Sequence, residues 1–287
     1  MSSRSDFPAS GAALNALQGA LRPVAAAAGK PRLLVAGATG VLGNEVLRRL
    51  VGSGRYAHTE VLATETMTTG LAGVGFALTG ASPSIEQWAP RPQPVDIGLV
   101  MFEPPRLYYG RERTLWTPAP AQLPALAGWL KRCGVRTLVV LVPHATGRLP
   151  EALKRGLANL DEQAVAALGF ERLLLVRSAR KTEAPEGESF LERTARGMLS
   201  TLKYMIPVSE QPVRPAKLAE FVDTALQLLP PGTHVAAPEL LWQANQSASA
   251  GCGEGPQTGP GMRRIVRAWL AAGHNARQNS TPDSPPD

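Results

Sequence analysis

Three glycines spaced three apart, Gly37, Gly40 and Gly43, form the stretch GATGVLG between an apolar run and an amphipathic one. That spacing suits the diphosphate of a dinucleotide. The first glycine permits a tight turn out of a strand, the second lets backbone approach the pyrophosphate, and the third allows close packing of helix on strand. A helix starting at the loop adds unpaired N–H groups and the positive end of its dipole. The residues expected to bind the cofactor are Gly37, Thr39, Gly40, Val41, Leu42 and Gly43, with Glu65 and Phe102 at the carboxyl ends of the second and fourth strands. An acid at the end of the second strand serves the ribose hydroxyls, whereas an arginine there favours a 2′-phosphate. Glu65 either leans the cofactor slightly towards NAD rather than NADP or is a solvated loop residue, with Arg91 or another distant arginine left as a phosphate partner.

Candidates for proton transfer are fewer. His144 follows a strongly apolar strand, where an imidazole could donate a proton to a carbonyl oxygen near neutral pH or could simply cap and pack. Residues 106–117, RLYYGRERTLWT, concentrate two tyrosines, three arginines and a tryptophan in a chain that is 5% aromatic. Tyr108, Tyr109 and Trp116 either cover the sheet edge or a dimer contact, or they wall the substrate side; Tyr109 and Tyr108 are further candidate proton donors. No Ser-His-Asp order with a nucleophile elbow occurs, and four histidines in unrelated places give no metal-ligand spacing. Cys133 and Cys252 are too few for a disulfide framework or a zinc site, and Cys133, at a helix end before Gly134, reads as a structural thiol.

The elements that must position these groups alternate in type. Residues 33–36, 60–63, 74–78, 95–102, 137–142 and 172–176 read as strands. Helical patterns cover the stretch after the glycine loop and residues 120–133, 151–168, 189–205 and 215–229, with a short turn at 85–88. Alternation without hairpin signals predicts an α/β fold, a doubly wound parallel sheet of the Rossmann type. Residues 1–29 read as an N-terminal extension, 30–242 as the dinucleotide-binding domain, 243–261 as a Gly/Ser/Pro linker, and 262–287 as a short basic helix docked on the domain followed by a disordered tail.

Composition bounds the rest. With 287 residues, 44% of them hydrophobic, the chain can bury a full core in one domain with extensions. The formal charge of +7 is scattered rather than clustered, which argues against nucleic-acid binding and leaves an anionic ligand as one use for it. No apolar run is long enough to span a bilayer, and no signal-peptide layout is evident, so the chain reads as cytoplasmic.

The loop at residues 37–43, its place near the N-terminus and the order of elements resemble the atypical short-chain dehydrogenase/reductases, most closely the small NAD(P)H-binding proteins of the NmrA-like and HTATIP2-like type. Residues 168–177, LGFERLLLVR, resemble that family's approach to its sixth strand, although Arg177 is followed by Ser178 where Arg-Pro is usual. Residues 212–229 are similar to its returning helix. The resemblance implies hydride transfer to a small carbonyl or alcohol, with a serine or threonine after the fifth strand and a Tyr-x-x-x-Lys pair on the next helix. Here the serine position falls on Pro143 or His144 and the pair near Lys154 and Ala158, and no tyrosine occurs between Tyr109 and Tyr204. The sequence therefore supports two expectations. One is an NAD(P)-binding oxidoreductase run by other groups, and the other is a non-catalytic dinucleotide-binding regulator or scaffold.

Overall fold

The computed structural model describes residues 29–69, 73–80, 82–145, 157, 159–180, 213–246 and 260–278. Seven strands form one parallel sheet: β1 (Arg32–Ala36), β2 (His58–Ala63), β3 (Val74–Leu78), β4 (Ile97–Met101), β5 (Thr137–Ala145), β6 (Arg172–Arg180) and β7 (Gly232–Ala236). Their order is β3-β2-β1-β4-β5-β6-β7, so the direction of winding reverses between β1 and β4. This is the Rossmann arrangement. Ligand crevices in such sheets open outside the carboxyl ends of the strands at that reversal.

Alternate residues along each strand feed two apolar layers, as the two-residue strand period requires. Leu33, Val35, Leu99, Met101, Val139 and Val176 face helices α1 (Gly40–Gly52), α5 (Pro215–Leu228), α6 (Pro238–Gln246) and α7 (Pro260–Gln278). Leu34, Ala36, Val100, Val140 and Leu175 face α3 (Leu123–Arg132), with Trp88 and Trp129 in the same layer. Among the described residues there are two shorter helices, α2 (Gly110–Arg113) between β4 and α3, and α4 (Leu160–Ala167) before β6. Because both faces are covered, the central strands read as continuous apolar runs.

Several boundaries differ from the sequence expectation for local physical reasons. β4 is shorter than 95–102, because Asp96 takes the Arg32 N–H on its carboxylate and the Arg136 and Thr137 N–H groups on its carbonyl. β5 continues through Pro143, which is tolerated because β4 ends at Met101, opposite Leu141, and leaves β5 partnered on one side only. The helix expected over 151–168 starts at Leu160, since Asn159 Oδ1 caps it by accepting the Glu162 N–H at 2.8 Å. Residues 151–156, 158 and 189–205, including Lys154 and Ala158, lie outside the described residues. β7 and α6 were not expected, and α6 reaches Gln246, inside the stretch read as a linker.

The basic C-terminal helix does pack on its own sheet layer. Met262 and Val266 are buried, the Trp269 ring lies 5.9 Å from that of Phe221, and Arg263 donates to Gln227 Oε1 at 2.9 Å. Among the described residues, no helix is long and apolar enough to cross a membrane.

Candidate functional site

The strand–glycine loop–helix unit forms as the sequence predicts. Gly37 and Gly40 take φ of +76° and +71°, a region that side chains rarely adopt. At Gly37 a Cβ would lie 2.0 Å from the Met101 carbonyl oxygen, so this glycine is fixed by the neighbouring strand. At Gly43 it would lie 2.7 Å from the Ala38 carbonyl carbon, so α1 packs tightly on the backbone of the loop itself rather than on a strand. At Gly40 the neighbour is different. A Cβ would meet the side chain of Glu103, with Oε2 at 2.5 Å.

Two carboxylates of this chain occupy the start of α1. The Leu42 N–H donates to Glu103 Oε2 at 2.6 Å, and the Gly40 N–H donates to Glu112 Oε2 at 3.0 Å. Asn44 Nδ2 donates to Glu112 Oε1 at 2.8 Å and to the Gly40 carbonyl at 2.6 Å. Arg106 completes the arrangement, its backbone N–H reaching Glu112 Oε2 at 3.0 Å, its Nε reaching Oε1 at 2.8 Å, and its terminal nitrogen pairing with the same oxygen. Thr39 Oγ1 donates to the Glu103 carbonyl and lies 2.9 Å from Thr117 Oγ1.

The connection carrying both acids then runs across the carboxyl ends of β1 and β2. The Gly37 N–H donates to the Trp116 carbonyl at 3.1 Å, and the Trp116 N–H donates to the Leu62 carbonyl at 3.0 Å. Ala63 bridges antiparallel to Leu115, and the Thr64 N–H donates to the Thr114 carbonyl at 2.8 Å. Trp116 packs edge-on to Trp88 at 5.2 Å, continuing the apolar layer, so this aromatic covers the sheet. Leu107, Tyr108 and Tyr109 at the turn are exposed.

Electrostatics reinforces the closure. Glu112 is 5% exposed, and burial works against its charge. Hydrogen bonds from the Arg106 side chain, the Arg106 N–H and the Gly40 N–H outweigh that penalty and hold the carboxyl below its usual range. Arg106 is raised in turn, chiefly by its hydrogen bond to Glu112, and its guanidinium sits 3.6 Å above the Tyr109 ring. A helix start with two carboxylates on its N–H groups matches the dipole as a phosphate would.

The fold implies a dinucleotide, and its diphosphate does not fit this loop as it is built. The Gly40 and Leu42 N–H groups and the Asn44 amide are spent on Glu112 and Glu103. Each further pair of like charges about 4 Å apart near a protein surface repels by about 4 kcal/mol.

The other sequence-predicted residues are dispersed around the crevice. Thr39 is fully buried, Val41 is half exposed, Phe102 is buried, and Glu65 lies exposed two residues beyond β2. Arg91 is not at this end of the sheet. It pairs with Glu60 at 3.1 Å, beside Arg32 and His58 at the amino ends of β1 and β2, which removes it as a partner for a ribose phosphate. His144 lies near the carboxyl end of β5, its backbone opposite Ala179 of β6. Tyr109 immediately precedes α2, on the outer side of the Arg106–Glu112 pair. Arg177, where the resemblance expects Arg-Pro, is buried in an ion pair with Glu162 at 2.8 Å that ties α4 to β6. Cys133 is buried and accepts the Arg91 N–H at 3.4 Å, and burial pushes its thiol up. Among the described residues, no group of three or more His, Cys, Asp or Glu could hold a metal.

Sequence reasoning missed Glu103, Glu112 and Asn44. Glu103 lies two residues past β4 and precedes two prolines, which was visible; that Glu112, in an arginine-rich run, folds back onto a loop 72 positions earlier was not.

No protein-family model matches the sequence, and no curated protein matches it. Among solved structures, the chain is similar to a Rossmann-fold NAD(P)-binding family protein from Shigella flexneri (13% identity, TM-score 0.40, 71% of this chain and 92% of that one). It is also similar to the Bordetella bronchiseptica enzyme WbmH in complex with NAD+ (12%, 0.41, 85% and 99%). A third is uronate dehydrogenase from Agrobacterium tumefaciens (12%, 0.40, 90% and 92%). These likenesses concern the fold alone, which the strand order already establishes.

Proposed function

We propose that this chain is a non-catalytic Rossmann-fold protein, a regulator or scaffold whose glycine loop holds the chain's own carboxylates in place of a dinucleotide. The observation that supports this best is the pair of hydrogen bonds from Gly40 and Leu42 to Glu112 and Glu103. A hydride-transfer enzyme of this fold needs those donors free for a diphosphate, and the short-chain family that the sequence resembles adds a tyrosine–lysine pair beside the nicotinamide. The sequence has no tyrosine between Tyr109 and Tyr204. The ligands of such a protein are partner molecules rather than redox substrates.

A second reading is an NAD(P)-dependent oxidoreductase on a small carbonyl or alcohol, of the atypical short-chain type and NmrA-like. One observation favours it: Gly37 and Gly40 keep the left-handed turns of a dinucleotide loop, and Glu65 is exposed two residues beyond β2. In that reading Gly37, Thr39, Gly40, Val41, Leu42, Gly43, Glu65 and Phe102 hold NAD or NADP, and His144 and Tyr109 donate protons.

Calorimetric titration of the protein with NADH and with NADPH at moderate salt separates the two. The first reading expects no saturable binding of either below about 1 mM, a free energy weaker than about −4 kcal/mol. A micromolar dissociation constant with consumption of NADH or NADPH against a carbonyl panel overturns it and supports the second.

A further inference from the structure

A well-formed glycine loop whose donors already hold the chain's own anions points to those side chains as the barrier to another anion. We infer that Glu103 and Glu112 are the residues that exclude phosphate ligands from this loop, with Arg106 positioning Glu112; this rests on the reading of the loop as closed.

The donors around Glu112 have the composition of an oxyanion site. One backbone N–H from a helix start, one side-chain amide, a second backbone N–H and a guanidinium converge on its two oxygens at 2.8 to 3.0 Å. Charge-assisted bonds of this kind serve carboxylate and phosphate alike. What differs is that Glu112 arrives tethered, so its local concentration is fixed by the chain and no free anion competes on equal terms. Glu103 takes the space over Gly40 that the absent Cβ leaves, and its carboxylate adds a second negative charge beside the same helix end. The glycine at position 40 is thus explained by an internal neighbour, and the dinucleotide-like pattern follows without a dinucleotide.

The distinction from the preceding reading is testable because neutralising the acids leaves the backbone donors in place. Inorganic diphosphate is titrated at pH 7.5 into the wild-type chain, Glu103→Ala, and Glu103→Ala/Glu112→Gln, with heat and the backbone amide signals of Gly40 and Leu42 as readouts. The inference expects no saturation in the wild type and movement of both amides on binding in the double variant, with affinity at least ~100-fold higher. Glu103→Ala alone, whose carboxylate meets a single N–H, should gain about tenfold or more, and it serves if the double variant does not fold. Folded variants with no gain overturn the inference while the scaffold reading stands. Tight binding of diphosphate by the wild type overturns both.

Discussion

The Gly40 N–H donates to the Glu112 carboxylate at 3.0 Å, joining the glycine loop after β1 to the connection after β4. The two elements lie on either side of the point where the sheet reverses its winding, the place where this fold class binds ligands. A short run of the chain itself fills that crevice. Its carboxylates take N–H groups of the glycine loop and its Thr114–Trp116 backbone bonds to the ends of β1 and β2, while the Trp116 ring packs on Trp88 in the apolar layer.

Gly40→Ala should destabilise the protein without any ligand present. The φ of +71° costs an L side chain about 1–2 kcal/mol, and Glu103 must move aside. Urea unfolding checks this: a lower midpoint with unchanged slope is expected, and an unchanged midpoint would remove Glu103 from contact with the loop.

Arg177→Met should cost about 3–5 kcal/mol, because it removes one partner of a buried ion pair. The companion change Glu162→Leu on that background should recover most of the loss. A double-mutant cycle by thermal or urea unfolding gives the coupling, and a single variant as stable as wild type would deny the pair a structural role.

The pH dependence follows from the direction of the Glu112 shift. Its folded-state value lies below the unfolded one, so the stabilisation from its ionised contacts is present above the ordinary carboxylate range and is lost as pH falls through the folded value. The stability gap between wild type and Glu112→Gln should be constant at neutral pH and narrow below about pH 4. A gap that persists to pH 2 would show that the charge of Glu112 is not what stabilises the connection.

The sheet, the glycine loop and the start of α1 were legible in the sequence because they are local. Residues 33–36 alternate between two layers within one strand, and Gly37, Gly40 and Gly43 act within a single turn. The start of α4 was misread because helical periodicity ran on past a polar Asn159 that caps it. β7, five residues long and starting on the glycine of Pro230-Pro231-Gly232, is too short for periodicity to register. The contents of the site were not legible, since Glu103 and Glu112 reach it only through the return of the β4–α3 connection. No spacing rule links Glu112 to Gly40.

The most direct measurement is the backbone amide signal of Gly40, followed in wild type and in Glu112→Gln over a pH titration. The account predicts a strongly hydrogen-bonded, downfield amide that titrates below the usual carboxylate range in the wild type and moves upfield, without that titration, in the variant. A Gly40 amide indifferent to the substitution, but shifted by NADH in the wild-type protein, would contradict it.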